Sequence, residues 1–289
     1  MSSIKYIMAF IAASVLLLTS CSKEDPAANG GNEDIMQFSF VHPSGTKVTS
    51  DSFEEEDVVG LYITNSNAIL DAAGNYVTNA PLVYNGAEWS VSPAIYWNNG
   101  TYNVYAYYPY MKSVPSVTDA PFSVSTNQSI AENYMKSDFL WASKEKVTAS
   151  NGAVSMQFAH RLSRMMIKLV KSDDYDGDLP NDAQVYVLNT VADATVDLAY
   201  GYATPLQKAS PKKIEAKNLG DNLYAAIVIP QRLDTRRPLV EVIMKGVSYL
   251  YEAKFNFKPG IQHNVTLVIS KNPSQIKIEI GGEIEGWTE

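Results

Sequence analysis

The chain has 289 residues, of which 46% are apolar, and its formal net charge is −8 at pH 7. This acidic balance argues against nucleic acid as a partner, because binding nucleic acid needs clustered positive charge. With one Cys and three His, the chain cannot form an internal disulfide or a cysteine-based metal site. We therefore predict no cofactor and no metal.

The first 20 residues are typical of a secretory signal peptide. Lys5 supplies the positive charge, and residues 7–18 form an apolar core of twelve residues. Such a core is short for a membrane span and suits a signal. Small residues at 19 and 20 precede Cys21, as in the bacterial lipobox, so Cys21 is the predicted lipidation site. The alternative is an ordinary signal peptide that happens to end beside a Cys.

Residues 21–34 are predicted to be a flexible tether. Ser22-Lys23-Glu24-Asp25 is polar and acidic, and residues 26–34 are rich in Ala, Asn and Gly. This composition cannot bury enough apolar surface to fold. The Ser-Lys-Glu-Asp stretch resembles an export signal that moves lipoproteins of some Gram-negative anaerobes to the outer face of the outer membrane. We therefore expect a surface-exposed lipoprotein of the cell outer membrane; a plain solvated linker is the alternative.

Alternation of apolar and polar residues dominates the rest of the chain. Met36, Phe38 and Phe40 form the first such pattern, and residues 249–257 form the longest. A weak helical pattern occurs at 130–134. Short strands about 8–12 residues apart, separated by turn residues, indicate β-sandwiches. We predict an all-β chain with two sandwich domains in series, at 35–160 and 161–289.

In the second half, Val196, Leu198 and Tyr200 are predicted to share one face of a strand. The last alternating segment places Ile276, Ile278 and Ile280 on one face of a strand. That strand could be donated to a neighbouring molecule, or it could be the last strand of its own domain.

Motifs for catalysis are missing from the sequence. It contains no nucleophile elbow, zinc-binding helix, phosphate loop or dinucleotide fingerprint. His160 is interpreted as a structural residue at a strand end. Asp174 and Asp176 resemble part of a calcium loop, but Ser172 and Ala183 stand where that loop needs carboxylates. We predict that the protein is not an enzyme.

Eight segments together resemble the fimbrillin family and span nearly the whole exported chain. They are TKVT (46–49), SFEEEDVVGLY (52–62), YAYYPY (105–110), SDFLWA (137–142), FAHRLS (158–163), IPQ (229–231), FKPG (257–260) and GW (286–287). The resemblance implies transthyretin-like β-sandwiches and a pilus subunit that is exported as a lipoprotein and joined to other subunits by strand exchange. It also implies trimming by a trypsin-like protease after a basic residue. The family usually has Arg there, and this chain has Lys47 followed by Val48.

The loop at 42–52 is polar and contains Pro43 and Gly45, so Lys47 is expected to be accessible to a protease. The expected partners are other fimbrial subunits, the outer membrane through the lipid, and the protease. A glycan-binding surface lipoprotein is the alternative function. It rests on a cluster of tyrosines that could stack on sugars, namely Tyr102, Tyr105, Tyr107, Tyr108 and Tyr110.

Overall fold

The computed structural model describes residues 35–43, 52–149, 152–272, the backbone of 277–285, and residue 287. These residues belong to one compact unit that runs from Asp34 to Glu289. Cys21, Lys47, Val48 and Ile276 lie outside the described residues. In the described part of the chain, no helix has the length and apolar content needed to span a bilayer.

The described residues of the first half form nine strands and one short helix. They are β1 (Phe38–Val41), β2 (Val58–Asn65), β3 (Val77–Tyr84), β4 (Trp89–Ser90), β5 (Tyr102–Tyr108), β6 (Ala120–Ser123), α1 (Ala131–Lys136), β7 (Leu140–Val147), β8 (Val154–Gln157) and β9 (Ala159–His160). The helix lies where the weak helical pattern predicted it.

The second half consists of strands in the described residues. They are β10 (Ser163–Lys171), β11 (Gln184–Thr190), β12 (Asp193–Asp197), β13 (Tyr202–Pro205), β14 (Lys212–Glu215), β15 (Lys217–Asn218), β16 (Leu223–Val228), β17 (Gln231–Met244), β18 (Val247–Phe257), β19 (Ile261–Ile269) and β20 (Lys277–Glu285). The all-β prediction is confirmed.

A first hydrophobic cluster holds the N-terminal half together. A six-stranded sheet of order β4-β3-β2-β5-β7-β9 contributes buried residues such as Val59, Leu61 and Val104. The two-stranded sheet β1-β8 contributes Phe38 and Met156 to the same cluster. The alternation in β1 and β8 sends one set of side chains into this cluster and the other set to the surface, whereas the central strand β2 is buried on both faces.

A second cluster fills the C-terminal half. It is formed mainly by a five-stranded sheet, β15-β16-β10-β19-β20, and a four-stranded sheet, β14-β11-β17-β18. A third sheet, β13-β12-β6, contains one strand from the first half. Tyr62 and Tyr107 of the six-stranded sheet also belong to this second cluster. The Gln128 side chain donates to the Ile227 carbonyl and accepts from its N–H, both at 2.8 Å. The two halves are therefore joined by pairing and packing, and a division into two domains at residue 160 stays a prediction.

The prediction that Tyr200 shares a buried face with Val196 and Leu198 is wrong. Strand β12 ends at Asp197, Leu198 is buried, and Tyr200 is 65% exposed. The Asp197 carboxylate accepts hydrogen bonds from the N–H groups of Ala199 and Tyr200, which is how Asp turns a chain locally. The alternation continues in the sequence, but the strand does not.

Candidate functional site

Strand β1 is attached to the rest of the fold through few backbone contacts. Within the described residues, its strand partner is β8, which runs parallel to it, with Phe38 opposite Val154 and Ser39 opposite Ser155. Just before β1, the Met36 N–H donates to the Ile95 carbonyl at 2.8 Å. A strand that pairs with one neighbouring strand can detach by breaking backbone hydrogen bonds along one edge instead of two.

The inward-facing side chains of β1, together with Met36 just before the strand, nevertheless belong to the core. Met36, Phe38 and Phe40 are only 3%, 6% and 8% exposed. The Phe40 ring lies 5.5 Å from that of Phe158, edge to face, and 5.0 Å from that of Trp89. Burying three such side chains is worth on the order of 5–9 kcal/mol. Loss of β1 would therefore open an apolar groove lined by aromatic rings.

The loop that follows β1 begins and ends close to this groove. The His42 ring meets the Phe53 ring edge-on at 5.0 Å, so both ends of the loop are packed together. The predicted cleavage bond, Lys47–Val48, falls between them and lies outside the described residues. A cut between residues 43 and 52 would leave Phe53 on the body of the protein and β1 on the tether side.

His42 is kept largely neutral by its surroundings. Burial lowers its pKa, with a smaller contribution in the same direction from His160. The contact of its Nδ1 with the Pro43 carbonyl, at 2.8 Å, and the carboxylates of Asp138 and Asp57 act in the opposite direction. The end of β1 therefore carries a group that resists protonation.

The predicted donor strand lies in the chain's own five-stranded sheet. Strand β20 runs antiparallel to β19 at one edge of that sheet, with Ile278 opposite Leu267 and Ile280 opposite Val265. Ile276 precedes the described part of the strand. In the free subunit this strand thus has a partner within the molecule.

Sequence reasoning missed the cluster that anchors the end of β20. Trp287 is fully buried, and its ring stacks on that of His160 at 3.9 Å with an angle of 14°. The Arg164 guanidinium donates to the Trp287 carbonyl at 2.9 Å and lies 4.9 Å from the indole centroid. His160 Nδ1 lies 2.9 Å from the Asp138 carboxylate. His160 and Trp287 both lie in segments that resemble the family, FAHRLS and GW, but nothing in the sequence indicates that the two rings meet.

This cluster is built for structure. The buried His160–Asp138 pair faces Trp287 and Arg164, and it has no Ser or Cys among its hydrogen-bond partners in the described residues. Within the same residues, no group of three His, Cys, Asp or Glu side chains could hold a metal ion. In the segment that resembles a calcium loop, the Asp176 carboxylate forms an ion pair with Lys271 at 2.9 Å on the surface.

The tyrosine cluster on which the alternative, glycan-binding function rests is mostly packed against protein. Tyr102 and Tyr107 are buried, and Tyr105, Tyr108 and Tyr110 are half-buried. The Tyr107 hydroxyl donates to Asn79 at 2.6 Å, and the Tyr108 hydroxyl donates to Asp57 at 3.0 Å. Burial raises the pKa of both phenols. These rings stabilise the fold.

Comparison with known proteins gives a consistent result. A fimbrillin-like family model matches residues 46–287. A Bacteroides ovatus protein described as a fimbrium tip subunit, Fim1C, is 31% identical over 132 residues, which cover 41% of this chain and 24% of that protein. The chain thus matches about a quarter of that relative's length.

Solved structures share the fold. A protein from Bacteroides uniformis and one from Bacteroides ovatus, both described as cell adhesion proteins, give TM-scores of 0.68 and 0.71 at 20% and 17% identity. Each comparison covers 88% of this chain and 98% of the other. A fimbrial protein from Bacteroides vulgatus gives a TM-score of 0.55 at 14% identity, covering 88% of this chain and 100% of the other.

The resemblance drawn from the sequence segments is therefore confirmed. The family match spans both halves of the fold, from the loop after β1 to Trp287. The chain belongs to the fimbrillin-like family.

Proposed function

We propose that this chain is a structural subunit of a surface fimbria that supports cell adhesion and is assembled by protease-triggered strand exchange. The observation that carries the proposal is strand β1. Its side chains fill the core, its backbone pairs with a single strand of the described residues, and a candidate cleavage loop follows it. Such a strand can be removed after folding and leaves a groove of defined shape.

The route to the cell surface is proposed to use a lipid. Cys21, at the end of the signal sequence, would take the acyl chains, and residues 22–34 would tether the folded unit to the outer membrane. More than one acyl chain makes such an anchor stable, whereas one chain binds only marginally. Cleavage after Lys47 by a trypsin-like protease would then release lipid, tether and β1 together.

Assembly is proposed to refill the groove with a strand from another subunit. Bare backbone groups and apolar rings are costly in water, so the emptied groove favours an extended peptide with alternating apolar residues. The segment with Ile276, Ile278 and Ile280 has this pattern. In the free subunit, its residues from Lys277 onward pair with β19, so donation requires that strand to leave its own sheet.

The experiment treats purified mature protein carrying Cys21→Ala with trypsin and follows multimers on gels run without boiling. We expect the first cut after Lys47, a fragment that begins at Val48, and a ladder of multimers after the cut. Lys47→Ala is the matched variant and should stay monomeric under the same treatment. A first cut elsewhere in the folded unit, or a ladder that forms equally well from uncut protein, would contradict the proposal.

A further inference from the structure

The most exposed aromatic residues of the C-terminal half form an ordered pair. Tyr200 lies in the turn between β12 and β13, Tyr202 is the first residue of β13, and they are 65% and 64% exposed. Their rings lie 6.3 Å apart and only 21° from parallel. The two neighbouring phenol rings are stacked and nearly parallel, and both side chains are largely exposed to solvent.

The turn that carries the pair is held in place. The Trp141 indole N–H donates to the Leu198 carbonyl at 2.7 Å. Gly201 has a φ of +72°, and a Cβ at this position would come within 2.6 Å of the Trp141 ring. Together with the two hydrogen bonds that Asp197 accepts, these contacts fix the backbone before any ligand arrives. Preorganisation lowers the entropy cost of binding.

Polar groups lie near the tyrosine pair. The Arg161 guanidinium lies 4.5 Å from the centroid of Trp141 and is electrostatically coupled to Tyr202. Tyr105 is half-buried, and burial raises the pKa of its phenol, with further contributions from neighbouring Glu145 and Tyr200. The neighbourhood of the pair therefore offers hydroxyl groups, the Arg161 guanidinium and the carboxylates of Glu145 and Asp197.

We propose that Tyr200 and Tyr202 form a binding platform for a neutral glycan built of hexopyranose units. The C–H face of a pyranose ring is flat and apolar and packs on an aromatic ring, while its hydroxyl groups need hydrogen-bond donors and acceptors such as those near the pair. Binding sites for small ligands combine aromatic walls with a few placed polar groups in this way. The carboxylates of Asp197 and Glu145 near the pair disfavour an acidic sugar, so a neutral one fits better.

The size of the platform favours a sugar over a protein partner. Two exposed tyrosine side chains offer on the order of 300 Å² of contact area. A stable protein interface buries about 800 Å² on each partner. One or two sugar rings fill the smaller area. This site lies away from β1 and its groove, so glycan binding would be a property additional to fimbrial assembly.

The test measures binding of three neutral oligosaccharides, namely cellohexaose, laminarihexaose and mannohexaose, to purified mature protein carrying Cys21→Ala. Isothermal titration gives the affinity, and the fluorescence of nearby Trp141 gives a second signal. We expect at least one of the three to bind at millimolar concentration or tighter. Tyr200→Ala/Tyr202→Ala should weaken that binding at least ~10-fold, with little change in thermal unfolding, because both side chains are exposed.

The matched control is Tyr96→Ala, which removes another exposed tyrosine, 54% accessible, on the N-terminal half. It should bind the sugar like the parent protein. The inference is overturned if none of the three sugars binds, if the double variant binds as well as the parent, or if Tyr96→Ala loses as much affinity as the double variant.

Discussion

His160 and Trp287 stack face to face, with ring centroids 3.9 Å apart, and this contact ties the end of the chain to the end of β9. The two rings come from opposite halves of the sequence. The contact lies directly after β20, the strand whose segment we propose as a donor. Its strength therefore bears both on stability and on how readily the C-terminal strand can leave.

Trp287→Ala should destabilise the subunit by about 3–5 kcal/mol, the usual effect of removing a large buried aromatic side chain. Trp287→Phe keeps a ring against His160 and should cost much less. Denaturant unfolding of the two variants and the parent measures the difference. If Trp287→Ala unfolds within about 0.5 kcal/mol of the parent, a range typical of surface substitutions, the anchoring role is wrong.

Acidification should weaken the region around β1 through His42. Burial holds the pKa of His42 below 6.5, so the unfolded chain takes up a proton before the folded one as the pH falls. Stability is present above about pH 6.5 and declines below it, until the folded-state pKa is also passed.

The check compares His42→Gln with the parent by denaturant unfolding at pH 7 and at mildly acidic pH. The variant should lose less stability between the two conditions, because its side chain takes up no proton there. Equal losses in both proteins would show that His42 does not contribute. His160 and the carboxylates of Asp138 and Asp57 remain in both proteins, so the comparison measures His42 together with its interactions with them.

Much of this structure could be predicted from alternation alone. Met36, Phe38 and Phe40 are buried as their pattern indicates, and the long strand at 249–257 lies within β18. The alternation of apolar and polar residues predicts which side chains share a face only while the chain stays an extended strand. At Tyr200 it failed, because hydrogen bonds to the Asp197 side chain end the strand first.

Long-range contacts were beyond sequence reasoning for a different reason. Arg164 and Trp287 are 123 residues apart, and no local pattern specifies that their side chains meet. The same holds for β6, which leaves the first half to pair with β12. The exposed pair at Tyr200 and Tyr202 was likewise hidden, since Trp141 and Gly201 position it only in the folded chain.

Cys21→Ala should abolish lipidation in the producing cell, because the sequence offers no other thiol. We expect full-length precursor to accumulate and the outer-membrane fraction to lack the protein. Fractionation and immunoblotting measure both, and Asn29→Ala, which leaves the thiol and residues 22–25 in place, is the control. Normal surface display of Cys21→Ala would be incompatible with a lipid anchor.

The donor role can be tested without truncating the subunit. A labelled peptide with the sequence of residues 275–285 should bind protein cut after Lys47 and leave intact protein unbound, since only the cut protein has an empty groove. Burial of its isoleucines is worth on the order of 1.5–3 kcal/mol each before ordering costs. A peptide with Asp in place of Ile276, Ile278 and Ile280 is the control.

Fluorescence polarisation measures the binding of both peptides to the cut and the intact protein. Equal binding of the native peptide to cut and intact protein would show that the groove is not its target. Failure to bind the cut protein would assign this segment to its own sheet alone, where β20 already pairs with β19.

The most direct measurement locks β1 in place. Ser39 and Ser155 are exposed register partners on β1 and β8, and neighbouring strands lie about 4.8 Å apart, within the range that a disulfide can bridge. In protein carrying Cys21→Ala, Ser39→Cys/Ser155→Cys keeps β1 attached even after trypsin cuts at Lys47. Cut and oxidised protein should stay monomeric on unboiled gels, and adding a reductant should restore the multimer ladder, while Ser39→Cys alone should multimerise in both conditions. Multimers that form equally well with the disulfide closed would show that β1 need not leave, and would contradict assembly by strand exchange.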